Sequence, residues 1–355
     1  MKVGDKLSLT SRINGKMKRD KEFKEILLSI EPHKNDYYTL SEKPPFSIEY
    51  EMLVSNNDLS SYESSLVGTA FDYLARFRIA QFIKNEDALQ WFVATQSFTK
   101  YKFNKDYEKL KLYTEWLETI QKYINDNSIS ITNILEIAIH FAKLEHLFRN
   151  GTKKENVDVN YVFFEQAPES VISNLENLMI VFEEKFMTPE ILKKNSQVFF
   201  NPNFGVGSSL VSGADADIFI DGTLYDFKTT KSQLLNQKDS LQLVGYFLLN
   251  ELQKDCGYLV GVNFDMNIER LAFYKARFGE VEYYDINKHF SLELGFREKK
   301  LKELAQYFKK NTGRIRSNYP FDYEDIINYL EQTSNFDVEG FIERVTKYRN
   351  EHLKK

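Results

Sequence analysis

Residues 213–231 read GADADIFIDGTLYDFKTTK, and this segment constrains the fold more than any other. An Asp-Gly pair at 221–222 between two apolar runs is among the strongest short-range signals for a β-hairpin. Asp217 heads the first strand, IFI. Asp226 and Lys228 lie on the second with one residue between them, so alternation turns both to one face and Phe227 to the other. The hairpin thus brings two carboxylates and one ammonium to one end of a sheet.

Two acidic side chains and a backbone carbonyl, here that of Phe227, make a hard-oxygen site suited to Mg²⁺ or Mn²⁺. Such an ion polarises a phosphoryl oxygen and lowers the pKa of a bound water. Lys228 can orient that water or stabilise charge on the phosphorus; acting as its base requires a lowered lysine pKa. Taken alone, D-x8-D-x-K occurs often by chance. The next segment adds specificity. LQLVGYFLL, 241–249, is apolar except for Gln242 and Tyr246, which are spaced i,i+4 and share a helix face. A glutamine buried in so apolar a helix needs a partner, and the acidic end of the sheet would supply one.

Strand–Asp217, strand–Asp226-Phe227-Lys228, then a helix carrying Gln242-x3-Tyr246 resembles the RecB-like branch of the PD-(D/E)xK nucleases. The resemblance implies a restriction-endonuclease-like α/β fold, a mixed central sheet flanked by helices. It implies that Asp217, Asp226 and the Phe227 carbonyl bind Mg²⁺ or Mn²⁺, that Lys228 is catalytic, and that Gln242 and Tyr246 support the site or the nucleic acid. Members of that branch often carry G-x3-H on an earlier helix, with the histidine joining the metal. Here SSLVGTAFDYLARF places Gly68 on the glycine and Asp72 where the histidine would stand. An aspartate also ligates Mg²⁺, so Asp72 is a candidate fourth ligand. Asp215 is the alternative to Asp217, since the two share a face in ADAD; Asp217 is preferred because it directly precedes IFI. Arg76, one turn beyond Asp72, is placed to touch phosphate or to pair with it. The matching stretches are 65–85 and 196–265, which leaves the ends uncovered.

Around this core the chain divides into three parts. Residues 1–64 are mixed, with a basic stretch at Lys16–Lys24 and a possible strand in PFSIEYEMLV. Residues 65–285 form the core domain, in which a helix at 65–84 is followed by helices at 105–126, 130–149 and 167–187 in a helical lobe, about 86–190, inserted before the core strands. Strands are expected at 196–201, 207–212 and 257–264 and twice within 268–285, with a helix over 233–253. Residues 286–355 read as helical and packed on the core. The pair Gly205 and Gly207 reads as a hairpin turn, since a phosphate loop would need a third glycine. His140 and His146 lie on one helix but on different faces, which suits structural roles.

Composition narrows the classes. One cysteine, Cys256, in 355 residues excludes an intrachain disulfide and a four-cysteine iron–sulfur cluster, and it reads as a buried thiol. No segment reaches eighteen uninterrupted apolar residues and the N-terminus shows no apolar leader, so a soluble cytoplasmic protein with no membrane partner is expected. A net charge of −5 gives no global sign of nucleic-acid binding, but a local basic groove would suffice. No Walker A sequence is present, so any helicase partner would be a separate chain. The expectation is a Mg²⁺-dependent deoxyribonuclease acting on DNA, including single strands or free ends. The alternative is a nuclease-fold protein that binds nucleic acid or a protein partner without cutting.

Overall fold

The Asp-Gly turn closes in the left-handed region that a tight hairpin demands: φ is +42° at Asp221 and +85° at Gly222. It joins β3, Ile218–Ile220, to β4, Thr223–Lys228, with Ile218 opposite Tyr225 and Ile220 opposite Thr223. The computed structural model describes residues 8–90, 92–211, 213–256, 266–289 and 295–311. Within them the hairpin belongs to a six-stranded sheet completed by β1 (Tyr37–Thr39), β2 (Val198–Phe200), β5 (Arg270–Lys275) and β6 (Glu280–Asp285). The order is β1-β6-β5-β4-β3-β2. All neighbours are antiparallel except β4 and β5. A parallel pair needs a long crossover, and this one contains α10, Gln237–Cys256.

Helices cover both faces of this mixed α/β sheet. Along β4, Tyr225 and Phe227 point into one apolar cluster and Leu224 into the other, as alternation requires. The first cluster takes α3 (Ser61–Ile83), α4 (Val93–Lys100), α5 (Tyr107–Asn125), α6 (Leu135–Arg149), α7 (Val159–Phe163) and α8 (Glu169–Lys185). At its centre Phe71, Phe182, Phe186 and Tyr274 surround the Phe227 ring at centroid distances of 5.4–6.0 Å. The second takes α1 (Leu9–Asn14), α2 (Lys18–Leu28), α10 and the helix Phe296–Asn311.

The long α3 starts where its sequence says it should. Ser60 and Glu63 form a capping box, Ser60 Oγ accepting from the Glu63 amide at 3.2 Å and the Glu63 carboxylate from the Ser60 amide at 2.8 Å. For α10, the Asn236 side chain accepts from the Lys238 amide at 3.0 Å.

Three expectations need correction. PFSIEYEMLV is not a strand: Phe46, Tyr50 and Val54 are buried at four-residue steps, whereas Ile48 is 77% exposed, so alternation fails. The N-terminal part instead gives β1 to the sheet edge beside β6. Residues 207–212 are not a strand either, since Val206–Leu210 form a short helix, α9. It packs so tightly on α10 that a Cβ at Gly207 would lie 2.7 Å from the Leu249 carbonyl oxygen. Gly205 therefore precedes a helix, not a hairpin return. The strand expected at 257–264, the Cys256 side chain and everything after residue 311 lie outside the described residues. Among those residues no helix is long and apolar enough to cross a membrane.

Candidate metal centre

Extending the hairpin register one residue beyond Ile218 and Tyr225 sets Asp217 opposite Asp226. Asp217 takes up a ladder position with its side chain, Oδ2 accepting from the Phe227 amide at 2.6 Å. Asp226 is buried, with Lys228 Nζ 2.5 Å from its Oδ2. That ammonium also lies 3.4 Å from Asp239 Oδ1 in the first turn of α10. Asp239, Gln242 and Tyr246 follow at steps of three and four, so one face of α10 looks at the acidic strand end. Gln242 Nε2 donates to Tyr246 Oη at 2.6 Å, and the Tyr246 ring stacks on Phe204 at 5.3 Å.

From the opposite side α3 brings Asp72 into a cleft of roughly 60 Å³ that Asp217, Asp215, Phe227 and Glu145 also line. Asp72 and Asp217 remain partly open to it. The close approach of α3 depends on Gly68, where a Cβ would lie 2.9 Å from Thr229 Oγ1, next to Lys228. Alanine there needs only a turn of the Thr229 side chain, whereas valine pushes the helix away. Gly68→Val is therefore expected to lower activity about 100-fold, the scale of a 1 Å misplacement, with the fold retained by circular dichroism.

The charges in this cluster oppose one another. Burial pushes the Asp217 carboxyl up to about 7, and Asp226 reinforces the shift. Asp72 is raised well above the carboxylate range by burial and then by Asp217, Glu145 and Asp226. Burial raises Asp226 as well, against the pull of Lys228. Burial disfavours the Lys228 ammonium, but Asp226, Asp239 and Asp217 together hold its pKa above the ordinary lysine range. In this setting the charged form of Lys228 is favoured, which suits a fixed cation better than a base. The Tyr246 hydroxyl is likewise kept protonated by burial and by Asp226 and Asp217.

This donor set fits a divalent cation in its chemistry: Asp72, Asp217 and Asp226 are oxygen ligands whose carboxyls are raised first by burial and then by the charge of neighbouring carboxylates. It is not a finished cage. Among the described residues no three His, Cys, Asp or Glu side chains converge closely enough to enclose an ion. Asp226 and Asp217 are engaged by Lys228 and the Phe227 amide, so both carboxylates would have to leave these partners to reach a shared cation.

The loop from Lys228 to α10 is held from below by the neighbouring strand. Lys275, beside Lys228 in the parallel register, donates from its buried ammonium to the carbonyls of Ser232, Gln233 and Leu234 at 3.3, 2.6 and 3.1 Å. It lies 3.7 Å from the fully buried Glu282, whose carboxyl burial pushes up to about 7. Fully buried Arg277 donates to the Thr229 carbonyl, and to the Ser55 carbonyl and Asn174 Oδ1 at 3.1 Å each. Lys275→Met leaves Glu282 without its cation and is expected to cost about 3–5 kcal/mol. Because the folded Glu282 pKa is raised, the loss grows as pH climbs through 7 and shrinks as the carboxyl regains its proton. Urea unfolding at pH 6 and pH 8 reads the difference.

Of the expected site residues, Asp72, Asp217 and Phe227 share the cleft, and Asp226, Lys228, Gln242 and Tyr246 adjoin it. Asp215 is exposed and forms an isolated bridge with Asn203, while Asp217 engages the strand end. Arg76 does not pair with Asp72. It is buried and donates to Asn201 Oδ1 at 2.6 Å and to the Gln90 carbonyl, with the Phe92 ring 4.8 Å away. His140 stacks on Trp116 at 4.7 Å, well inside the lobe. Two participants escaped the sequence reading. Asp239 could have been found from its spacing to Gln242 and Tyr246. Glu145, which accepts from Tyr73 Oη at 2.8 Å and Arg149 Nε at 2.6 Å, sits on a helix whose sequence carries no sign of what it faces. Comparison with protein-family models, with curated proteins and with solved structures finds no match.

Proposed function

We propose that this chain is a metal-dependent nuclease that hydrolyses phosphodiester bonds in DNA, with a restriction-endonuclease-like fold. The observation that carries the reading is the opposition of Asp217 and Asp226 across a hairpin, with Lys228 paired to Asp226 and Asp72 facing them from α3. The order of Asp217, Asp226-x-Lys228 and Gln242-x3-Tyr246 along the chain, similar to the RecB-like nucleases, supports it.

Asp72, Asp217, Asp226 and the Phe227 carbonyl would hold Mg²⁺ or Mn²⁺. When bound, the cation supplies charge to the phosphoryl group and acidifies a water. The protein's own residues do the rest. Lys228, fixed as an ammonium by three carboxylates, donates hydrogen bonds to the phosphoryl oxygens as negative charge builds on them. Tyr246, a permanent donor, and Gln242 hold the α10 side of the site in position. Asp239 keeps the Lys228 side chain within reach of the cleft when Asp226 turns to the cation.

The test is incubation with single-stranded, linear duplex and circular duplex DNA in Mg²⁺, Mn²⁺ or EDTA. Cutting of at least one substrate with either ion, and none in EDTA, is the expected outcome. Binding without cutting under every condition would favour a non-cleaving nucleic-acid-binding protein. The absence of a ready-made ligand cage among the described residues is the observation on that side.

A further inference from the structure

The face of α3 that carries Asp72 continues toward the start of the helix. Tyr62, Thr69, Asp72 and Arg76 succeed one another along one side of it, at spacings close to whole turns. Thr69, Asp72 and Arg76 all line the cleft, and Tyr62 lies two turns before Thr69 in the first turn of α3, outside that lining. Thr69 Oγ1 is 3.0 Å from His146 Nε2, and the His146 ring meets the Tyr62 ring edge-on at 5.9 Å. Tyr62 Oη shares a 2.7 Å hydrogen bond with Tyr161 Oη of α7. The ring is therefore held by His146 and, through its hydroxyl, by Tyr161 while 48% of the residue stays exposed.

A large aromatic surface left open, yet fixed by a histidine and a second tyrosine, has lost its conformational freedom before any ligand arrives. Its position identifies the ligand. From Tyr62 to Asp72 is ten residues of helix, a rise of about 15 Å. That distance is roughly four nucleotides at the stacked spacing of a strand and fewer when the strand is extended. Arg149, one turn after His146, keeps 62% of its side chain exposed at the same helix end while its Nε pairs with Glu145 at 2.6 Å. Bases stack on aromatic faces only where they are free of a duplex.

We propose that Tyr62 is a base-stacking residue, and that the cleft takes a single nucleic-acid strand running along α3 from Tyr62 to Asp72. The proposal rests on the nuclease reading only for the direction in which the strand points. A strand whose phosphate sits among Asp72, Asp217 and Asp226 lays one of its next few bases on the Tyr62 ring, with Arg149 beside its backbone. A duplex cannot present that base.

The experiment is fluorescence anisotropy of a labelled oligothymidine and of a labelled duplex in Ca²⁺, which neutralises the carboxylates of the cleft, with wild type, Tyr62→Leu and Tyr62→Trp. Each variant is first checked for an unchanged melting profile. Single-strand binding is expected to weaken about 10- to 100-fold in Tyr62→Leu, on the alanine-scan scale of one stacked base. It should be kept in Tyr62→Trp, and the duplex should bind weakly and equally to all three. Equal single-strand affinity in Tyr62→Leu, equal weakening for the duplex, or no single-strand binding by the wild type each overturns the proposal. Cleavage assayed in parallel separates the two readings. Unchanged binding in Tyr62→Leu with cutting intact removes only the stacking role. Tyr62-dependent binding with no cutting in Mg²⁺ or Mn²⁺ removes only the nuclease.

Discussion

Lys228→Ala is expected to lower the single-turnover rate of DNA cleavage in Mg²⁺ by about 10²- to 10⁴-fold while the chain stays folded. Lys228 touches Asp226 and Asp239 but is only partly enclosed, its side chain being 18% exposed. Truncation removes a cation from a cluster already rich in negative charge, so the variant should also bind divalent ions at least as tightly as the wild type. That combination, activity lost and metal affinity kept, separates a residue that acts on the phosphoryl group from one that merely holds the metal site together. The pH profile gives a second check. Lys228 is held above the ordinary lysine range and stays charged across the neutral region. A rise in activity with pH then comes from the water that the cation acidifies, or from carboxylates such as Asp217 whose protons compete with the cation. At limiting Mg²⁺ the rate is expected to rise with pH, with a midpoint that falls as Mg²⁺ is raised; one that waits for an alkaline lysine ionisation whatever the Mg²⁺ would return Lys228 to the role of base.

The second large effect is on stability and has the opposite sign from most substitutions of buried residues. Asp217 and Asp72 hold their protons more tightly in the folded chain than an unfolded one does. Their contribution to stability is therefore fully present below the ordinary aspartate pKa and is lost as pH rises through the raised folded values, about 7 for Asp217. Above that pH the folded state carries crowded carboxylates that repel one another. Asp217→Asn keeps an oxygen to accept from the Phe227 amide and removes the charge. Without divalent ions at pH 8 it should be more stable than the wild type by about 1–3 kcal/mol, with little difference at pH 5. Adding Mn²⁺ should close the gap by stabilising the wild type alone. Thermal melts of both proteins at the two pH values, with and without Mn²⁺, read all of this. A wild type that is the more stable at pH 8 without metal would show that the carboxylates are not in conflict.

How much of this was legible in the sequence depended on how local the governing physics was. The β3–β4 hairpin was readable because Asp221-Gly222 fixes the turn by backbone geometry alone, and the register then sets Asp217 opposite Asp226. The helices α3, α5, α6 and α8 were readable from their apolar periodicity and, for α3, from Ser60 and Glu63. What failed was set by tertiary contact. PFSIEYEMLV alternates well enough for a strand, but Phe46 is drawn under Glu282, its amide donating to that carboxylate at 2.6 Å. The Gly207 segment coils because α10 leaves no room for a side chain there. The three-residue β1 was too short to announce itself, and its place beside β6 came from pairing across the whole chain. In the site, residues on the strand–strand–helix run could be named from order and spacing. The supports Lys275 and Arg277 could not, because their partners are backbone carbonyls far away in sequence. The same holds for Tyr62, whose partners Tyr161 and His146 come from two other helices.

The central claim is that Asp217, Asp226 and Lys228 hydrolyse DNA with a divalent cation. Its most direct test is single-turnover cleavage of an end-labelled single-stranded DNA, with the protein in excess and Mg²⁺ titrated from zero. Wild type should produce cleavage that rises with Mg²⁺ and stops on addition of EDTA, while Asp226→Asn shows none at any concentration. Cleavage that continues in EDTA, or that proceeds equally in Asp226→Asn, would contradict the account.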